Sequence, residues 1–306
     1  MTFFQLINLV GQNVHKISKG GISQIGNEFS TNSQYFVYTN VEFNKKKKVF
    51  EYGFNMIETA NTTKINLHRD NFRFVAFGKD SIILGVNSEN KLFSYNTVKN
   101  KIAKEYNFVL DDEIYSKCNF KFRNDTLFYK KGDNIQAYIL PYDKNIVLIH
   151  LKDFGIDYKD IVSFDIKKDL VAVCLKKEGD SFDSIKSYHF FTYNLTTKQQ
   201  TLIFKGPNTD ENTFDPVLRL YGDQEIIYSY YLNHEMILCL YNFNKLHEVR
   251  KQTLKEYKLL NLSIANNGKI YLSLFNEQER ERFAAQNVKR LGLGVLLSGC
   301  GVYSID

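Results

Sequence analysis

The run Phe72-Arg-Phe-Val-Ala-Phe77, Gly78-Lys-Asp80, Ser81-Ile-Ile-Leu-Gly-Val86, Asn87-Ser-Glu-Asn90, Lys91-Leu-Phe-Ser-Tyr95, Val98-Lys-Asn100 and Ile102 to Val109 decides the fold class. Four short apolar segments, rich in aromatic and β-branched residues, alternate with tight polar turns that contain Gly, Asn or Asp. Such residues favour strands, and such turns join neighbouring antiparallel strands. The stretch therefore predicts a four-stranded antiparallel meander. The next unit repeats the plan, with Cys118 to Arg123, Thr126 to Lys130, Ile135 to Leu140 and Ile146 to Leu151 separated by turns of the same chemistry.

With the middle of each unit's first strand as an anchor, the anchors fall at Phe29, Phe74, Phe120, Phe164, Leu218 and Leu262, spaced 45, 46, 44, 54 and 44 residues apart. Four strands per period of roughly 40 to 50 residues is the pattern of propeller blades. The long interval is explained by polar insertions at Lys176 to Lys186 and Gly206 to Asp215. The expected fold is all-β: a single β-propeller over 1–306 with blades at about 21–66, 70–109, 117–152, 160–205, 215–257 and 258–306 with 1–17. Six blades are favoured over seven. A pair of β-sandwiches is the alternative, because these too have short strands at close spacing.

The pattern resembles WD-repeat propellers in period and strand count, although the Gly-His and Trp-Asp signatures are missing and the chain has no Trp. That resemblance implies a fold and names no partner.

The two ends carry apolar β-type segments, Phe3 to Val10 and Leu291 to Ile305. An unsealed propeller would expose strand edges, so both segments are expected in one closing blade. Between them Glu277 to Arg290, acidic early and basic late, reads as the chain's one helix. Its apolar side either covers the propeller's own edge or, with Phe283, Val288 and Arg290, forms a candidate partner-binding surface.

Composition excludes more than it assigns. A net charge of +6 is scattered in small groups among acidic residues rather than gathered in one block. Nucleic-acid binding is therefore not the favoured reading. The densest group, Lys45, Lys46, Lys47 and Lys48, reads either as a solvated turn between strands or as a contact for phosphate or an acidic partner. No run approaches the roughly 18 apolar residues of a membrane span, and the N-terminus lacks the basic start of a signal peptide. The four cysteines, Cys118, Cys174, Cys239 and Cys300, lie far apart. Reduced, buried thiols in a cytoplasmic protein are expected.

No catalytic, cofactor-binding or metal-ligating residue can be named. Gly20 to Gly26 has the glycines of a phosphate loop, but Asn27 and Glu28 stand where Lys and Ser or Thr should follow. The six histidines never occur at ligand spacing. The acids Asp111 to Glu113, Asp153, Asp157, Asp160, Asp180 and Asp183 read as exposed turn residues. The functional expectation is a non-catalytic protein-interaction platform, with no small-molecule ligand identifiable. The alternative is a carbohydrate or ester hydrolase using carboxylates around the channel.

Overall fold

The computed structural model describes residues 15–19, 27–29, 33–44, 46–47, 49–60, 64–66, 73–77, 81–87, 89–110, 120–177, 185–206, 209–210, 215–232, 235–255, 257–265, 268, 270–276, 278 and 300–305. These residues are almost wholly strand and turn. After β1 (His15–Lys19), the first sheet is formed by β2 (Asn27–Phe29), β3 (Tyr35–Asn44), β4 (Val49–Glu58) and β5 (Lys64–Asn66). The second contains β6 (Arg73–Phe77), β7 (Ile82–Val86), β8 (Lys91–Asn96) and β9 (Lys101–Val109). The third contains β10 (Phe120–Arg123), β11 (Thr126–Lys131), β12 (Asn134–Ile139) and β13 (Lys144–His150).

The fourth sheet is β14 (Tyr158–Lys167), β15 (Leu170–Lys177), β17 (Tyr188–Asn194) and β18 (Gln200–Lys205); β16 (Ile185–Lys186) and β19 (Thr209–Asp210) pair as a separate ribbon. The fifth is β20 (Leu218–Tyr221), β21 (Glu225–Leu232), β22 (Glu235–Asn242) and β23 (His247–Leu254). The sixth runs from β24 (Tyr257–Ile264) through β25 (Ile270–Asn276) and β26 (Cys300–Ile305) to β1. All pairings are antiparallel, and each anchor residue lies on the first strand of its sheet.

The strands are held in place by their turns. Asn96 Oδ1 accepts the Lys99 N–H at 2.8 Å, Asn194 Oδ1 accepts those of Thr196 and Thr197 at 2.9 Å, and Asn242 Oδ1 accepts that of Lys245 at 2.9 Å. These side chains stand in for the missing ladder partner at the end of the third strand in the second, fourth and fifth sheets. The third-to-fourth turns of these sheets and of the third each contain a left-handed residue: Asn100 at φ 52°, Asp143 at 51°, Lys198 at 60° and Leu246 at 52°. Asn and Asp tolerate that conformation, whereas a residue such as Leu gives up about 1–2 kcal/mol in it.

Outer strands β9, β13, β18 and β23 each carry a bulge against the third strand, at Ser94/Tyr95, Ile135/Gln136, Phe190/Phe191 and Leu240/Tyr241. Bulges twist an exposed edge out of register for further pairing.

Packing joins the sheets into a propeller-like ring. Val37 and Phe54 of the first sheet meet Phe77, Ile83 and Phe93 of the second; Leu84 and Leu92 of the second meet Phe120 and Tyr129 of the third. Ile135 and Ile149 meet Phe164 and Val173, Phe190 meets Tyr228 and Cys239, and Ile227 and Met236 meet Leu262 and Leu272. Phe36, Tyr38 and Ile57 of the first sheet then pack on Ala265 and Tyr271 of the sixth, with the Phe36 and Tyr271 rings edge to face at 4.7 Å. Interlocking aliphatic and aromatic side chains supply the buried area that holds neighbouring sheets together.

Three features differ from the sequence reading. The N-terminal strand that pairs with β26 is His15–Lys19, with His15 opposite Ser304 and Lys19 opposite Gly301; Phe3 to Val10 lies outside the described residues. The two polar insertions pair with each other, Ile185 with Asp210 and Lys186 with Thr209, so their backbone groups find partners that single loops would lack. Helix among the described residues is confined to single 3-10 turns at Leu140–Tyr142 and Leu151–Phe154 and to Gln278. Apart from Gln278, the helix expected over Glu277 to Arg290 lies outside them.

Because β1 is the outer strand of a sheet whose other strands come from the opposite end of the chain, removing either end exposes the same sheet. Deletion of residues 1–19 and deletion of residues 300–306 should each lower the melting temperature by a similar amount. Calorimetry that finds either truncation as stable as the full chain contradicts a shared closing sheet.

Candidate functional site

The inner strands β2, β6, β10, β14, β20 and β24 surround the axis of the ring. Each pairs on one side only, so the backbone groups of its other edge need partners from elsewhere. Across β14 and β20 those partners are side chains. Ser163 Oγ accepts the Leu218 N–H at 3.1 Å, and Asp165 Oδ2 accepts the Leu220 N–H at 2.9 Å. Lys167 Nζ donates to the Gly222 carbonyl at 2.9 Å and pairs with Asp223 at 2.9 Å. Successive donors and acceptors advance together along both strands, so these inner strands run parallel and in step.

The next step round the ring uses Arg219. Its Nε donates to the Leu262 carbonyl at 2.8 Å, Nη1 to the Leu218 carbonyl at 2.6 Å and Nη2 to Asn261 Oδ1 at 2.5 Å. On the other side of β14, Lys121 Nζ of β10 lies 3.4 Å from Asp165 Oδ1, and Lys130 of β11 pairs with Asp160. The result is a belt of buried polar side chains, Lys121, Ser163, Asp165, Arg219 and Asn261, spanning four successive sheets.

Asp165 is the electrostatic centre of this belt. Burial alone would raise its carboxyl pKa, but Lys121, Arg123 and Arg219, with the Leu220 N–H, more than offset that and hold it below the ordinary value. A carboxylate kept charged and engaged on both oxygens is a poor proton donor. The other acids named from sequence serve locally: Asp153 Oδ2 accepts the His150 N–H at 2.8 Å, Asp160 binds Lys130, and Asp157 is exposed. Asp111 to Glu113, Asp180 and Asp183 lie outside the described residues. Among the described residues no group of three His, Cys, Asp or Glu side chains is placed to hold a metal ion.

Cys174 and Cys239 are buried free thiols. Burial, reinforced by Glu248 at 3.3 Å, pushes the Cys239 thiol up to about 12, so it stays protonated. Cys118 lies outside the described residues. At the opening of the fourth sheet, the Tyr158 hydroxyl and His189 Nδ1 share a 2.8 Å hydrogen bond. Burial, with Lys205 and Lys177 nearby, lowers the His189 pKa.

Of the partner-binding residues named from sequence, Lys46 and Lys47 form the exposed turn between β3 and β4. Lys45, Lys48, Phe283, Val288 and Arg290 lie outside the described residues. The polar belt was missed because each member is a lone polar residue within an apolar strand. A shared offset was the available signal: Lys121, Asp165 and Arg219 each follow their anchor by one position.

No protein-family model matches the sequence, and no curated protein matches it.

Asp165→Ala should destabilise the fold by about 3–5 kcal/mol, because it leaves Lys121 buried without its carboxylate; Asp165→Asn, which still accepts the Leu220 N–H, should cost less. Since the native carboxyl has the lower pKa, its contribution is complete above the ordinary carboxylate value and is lost as the pH falls below it. Urea titrations of both variants across the acid range measure this. Equal stability of wild type and Asp165→Ala would rule out the role given to the belt.

His189 has the opposite charge type but the same pH direction. Its native pKa is lowered, so the unfolded chain takes up a proton first as the pH drops below about 6.5, and stability falls over that window. Melting curves of His189→Gln should show a shallower decline there than wild type, and an identical decline would remove His189 as its source.

Proposed function

We propose that the chain is a single, closed six-bladed propeller that works in the cytoplasm as a non-catalytic platform, holding an acidic protein partner at the tip of the β3–β4 hairpin. The two strands pair continuously from Tyr35 with Glu58 to Asn44 with Val49. Among the described residues, β2 pairs with this hairpin as far as Tyr38 and β5 as far as Asn55. From Thr39 with Phe54 the two strands continue through six further residue pairs to the turn at Lys46 and Lys47.

The exposed lysine turn at the end of this ten-pair hairpin is the observation that carries the reading. The four-lysine run gives that tip the charge to attract an acidic surface and to steer encounter. The polar belt supports the non-catalytic part, since its side chains are occupied in joining sheets.

A photo-crosslinking side chain at position 46 should capture an acidic protein from the native cell extract. Replacing residues 40–53 with a two-residue Asn-Gly turn should abolish capture while leaving the melting temperature within a few degrees of wild type. Undiminished capture by the shortened protein would refute the hairpin as the docking element. Hydrolysis of glycosides or esters that disappears in Asp165→Asn would refute the non-catalytic reading.

A further inference from the structure

Strand order divides the ring's two ends. The turns joining first to second and third to fourth strands open on one face, opposite the β3–β4 tip and the connections between sheets. On this turn face the third-to-fourth turns form an outer circle, and their tips are unusual. Val98 is 81% exposed, Tyr142 78% and Leu246 62%, in the second, third and fifth sheets. The corresponding turn of the fourth sheet presents Thr196 and Thr197.

Each tip has a basic neighbour. Lys99, Lys144, Lys198 and Lys245 are all exposed in or beside these four turns, against one carboxylate, Asp143, which accepts a hydrogen bond from the Tyr138 hydroxyl. Towards the axis on the same face the charges are closer to balance, Lys168 beside Asp169 and Lys167 bound to Asp223. Positive charge and protruding apolar groups thus coincide on the rim.

Leu246 adds a second, independent sign. It occupies the left-handed position that Asn100, Asp143 and Lys198 fill in the other sheets. An apolar residue there is unfavourable both for its backbone and for its solvation, so folding alone gives no reason to keep it.

We propose that the turn face docks on an anionic membrane surface, with Val98, Tyr142 and Leu246 entering the headgroup layer and the adjacent lysines meeting lipid charge. The spacing favours a bilayer over a protein. A protein partner needs a contiguous patch around its anchors from which water is excluded, whereas these side chains stand on separate turns, divided by lysines and threonines. A bilayer offers a continuous apolar layer beneath a charged plane and accepts separate wedges, with apolar insertion and lipid charge adding together. Tyr suits the interface itself.

The absence of Trp from the chain provides the probe, since Tyr142→Trp introduces a single reporter. With phosphatidylcholine vesicles containing phosphatidylserine, its emission should shift to shorter wavelength and the protein should float with the vesicles; added salt should reverse both. Each of Lys99→Glu, Lys198→Glu and Lys245→Glu should weaken partitioning at least fivefold, as ~1 kcal/mol per basic residue predicts. Leu246→Asn should weaken it too, yet raise the melting temperature. Absence of flotation would overturn the proposal, as would flotation unchanged in Val98→Asp/Tyr142→Asp/Leu246→Asp with a normal melting temperature. So would loss of a soluble acidic protein from that variant without any vesicle binding, which would assign the face to a protein. Shortening the β3–β4 hairpin should leave flotation intact, so this face and the hairpin are tested separately.

Discussion

An inner strand of a ring has one edge that no other strand can reach. Six such strands line the ring, and the backbone groups of that edge need partners that their own sheet does not supply. Where the inner edge is best described, the remedy is a side chain from the neighbouring strand: Ser163 and Asp165 for β20, and Arg219 for β24. This requirement explains why Lys121, Asp165 and Arg219 are buried among apolar side chains. Each link also fixes the relative height of two sheets, which apolar packing alone leaves loosely specified.

Outside the belt, the sheets depend on ring-against-ring packing. Phe190, Phe204, Tyr228 and Tyr241 form one continuous group between the fourth and fifth sheets, with centroids 4.4 to 4.9 Å apart. Tyrosine rather than phenylalanine is useful where a polar end can be satisfied, as when the Tyr231 hydroxyl accepts the Leu259 N–H at 2.6 Å across the fifth and sixth sheets. Core and belt divide the work: aromatic area supplies cohesion, and directional hydrogen bonds supply alignment. With alignment secured internally, the two ends of the ring can differ, one carrying the long β3–β4 hairpin and the other short turns with exposed apolar tips.

Much of this could be read along the chain. The anchors at Phe29, Phe74, Phe120, Phe164, Leu218 and Leu262 all fall on first strands, because an alternating apolar run between Asn-, Asp- or Gly-rich turns is a local pattern with a local cause. The turn at Lys46 and Lys47 was legible for the same reason, and so was a closing sheet shared by the two ends, whose described N-terminal member is His15–Lys19. The hairpin's full length was not legible. It depends on β3 and β4 pairing through ten residues each, which a local pattern leaves open.

The sequence by itself determined the strand class, the repeat interval and the turns, since these follow from side-chain periodicity over a few residues. Only the tertiary structure decided that Lys121, Asp165 and Arg219 form one belt, and that Val98, Tyr142 and Leu246 share one face. The physical reason is distance along the chain: the belt's links span 43 to 55 residues, and nothing in the local pattern records which lone charge will meet which backbone group once the ring is closed.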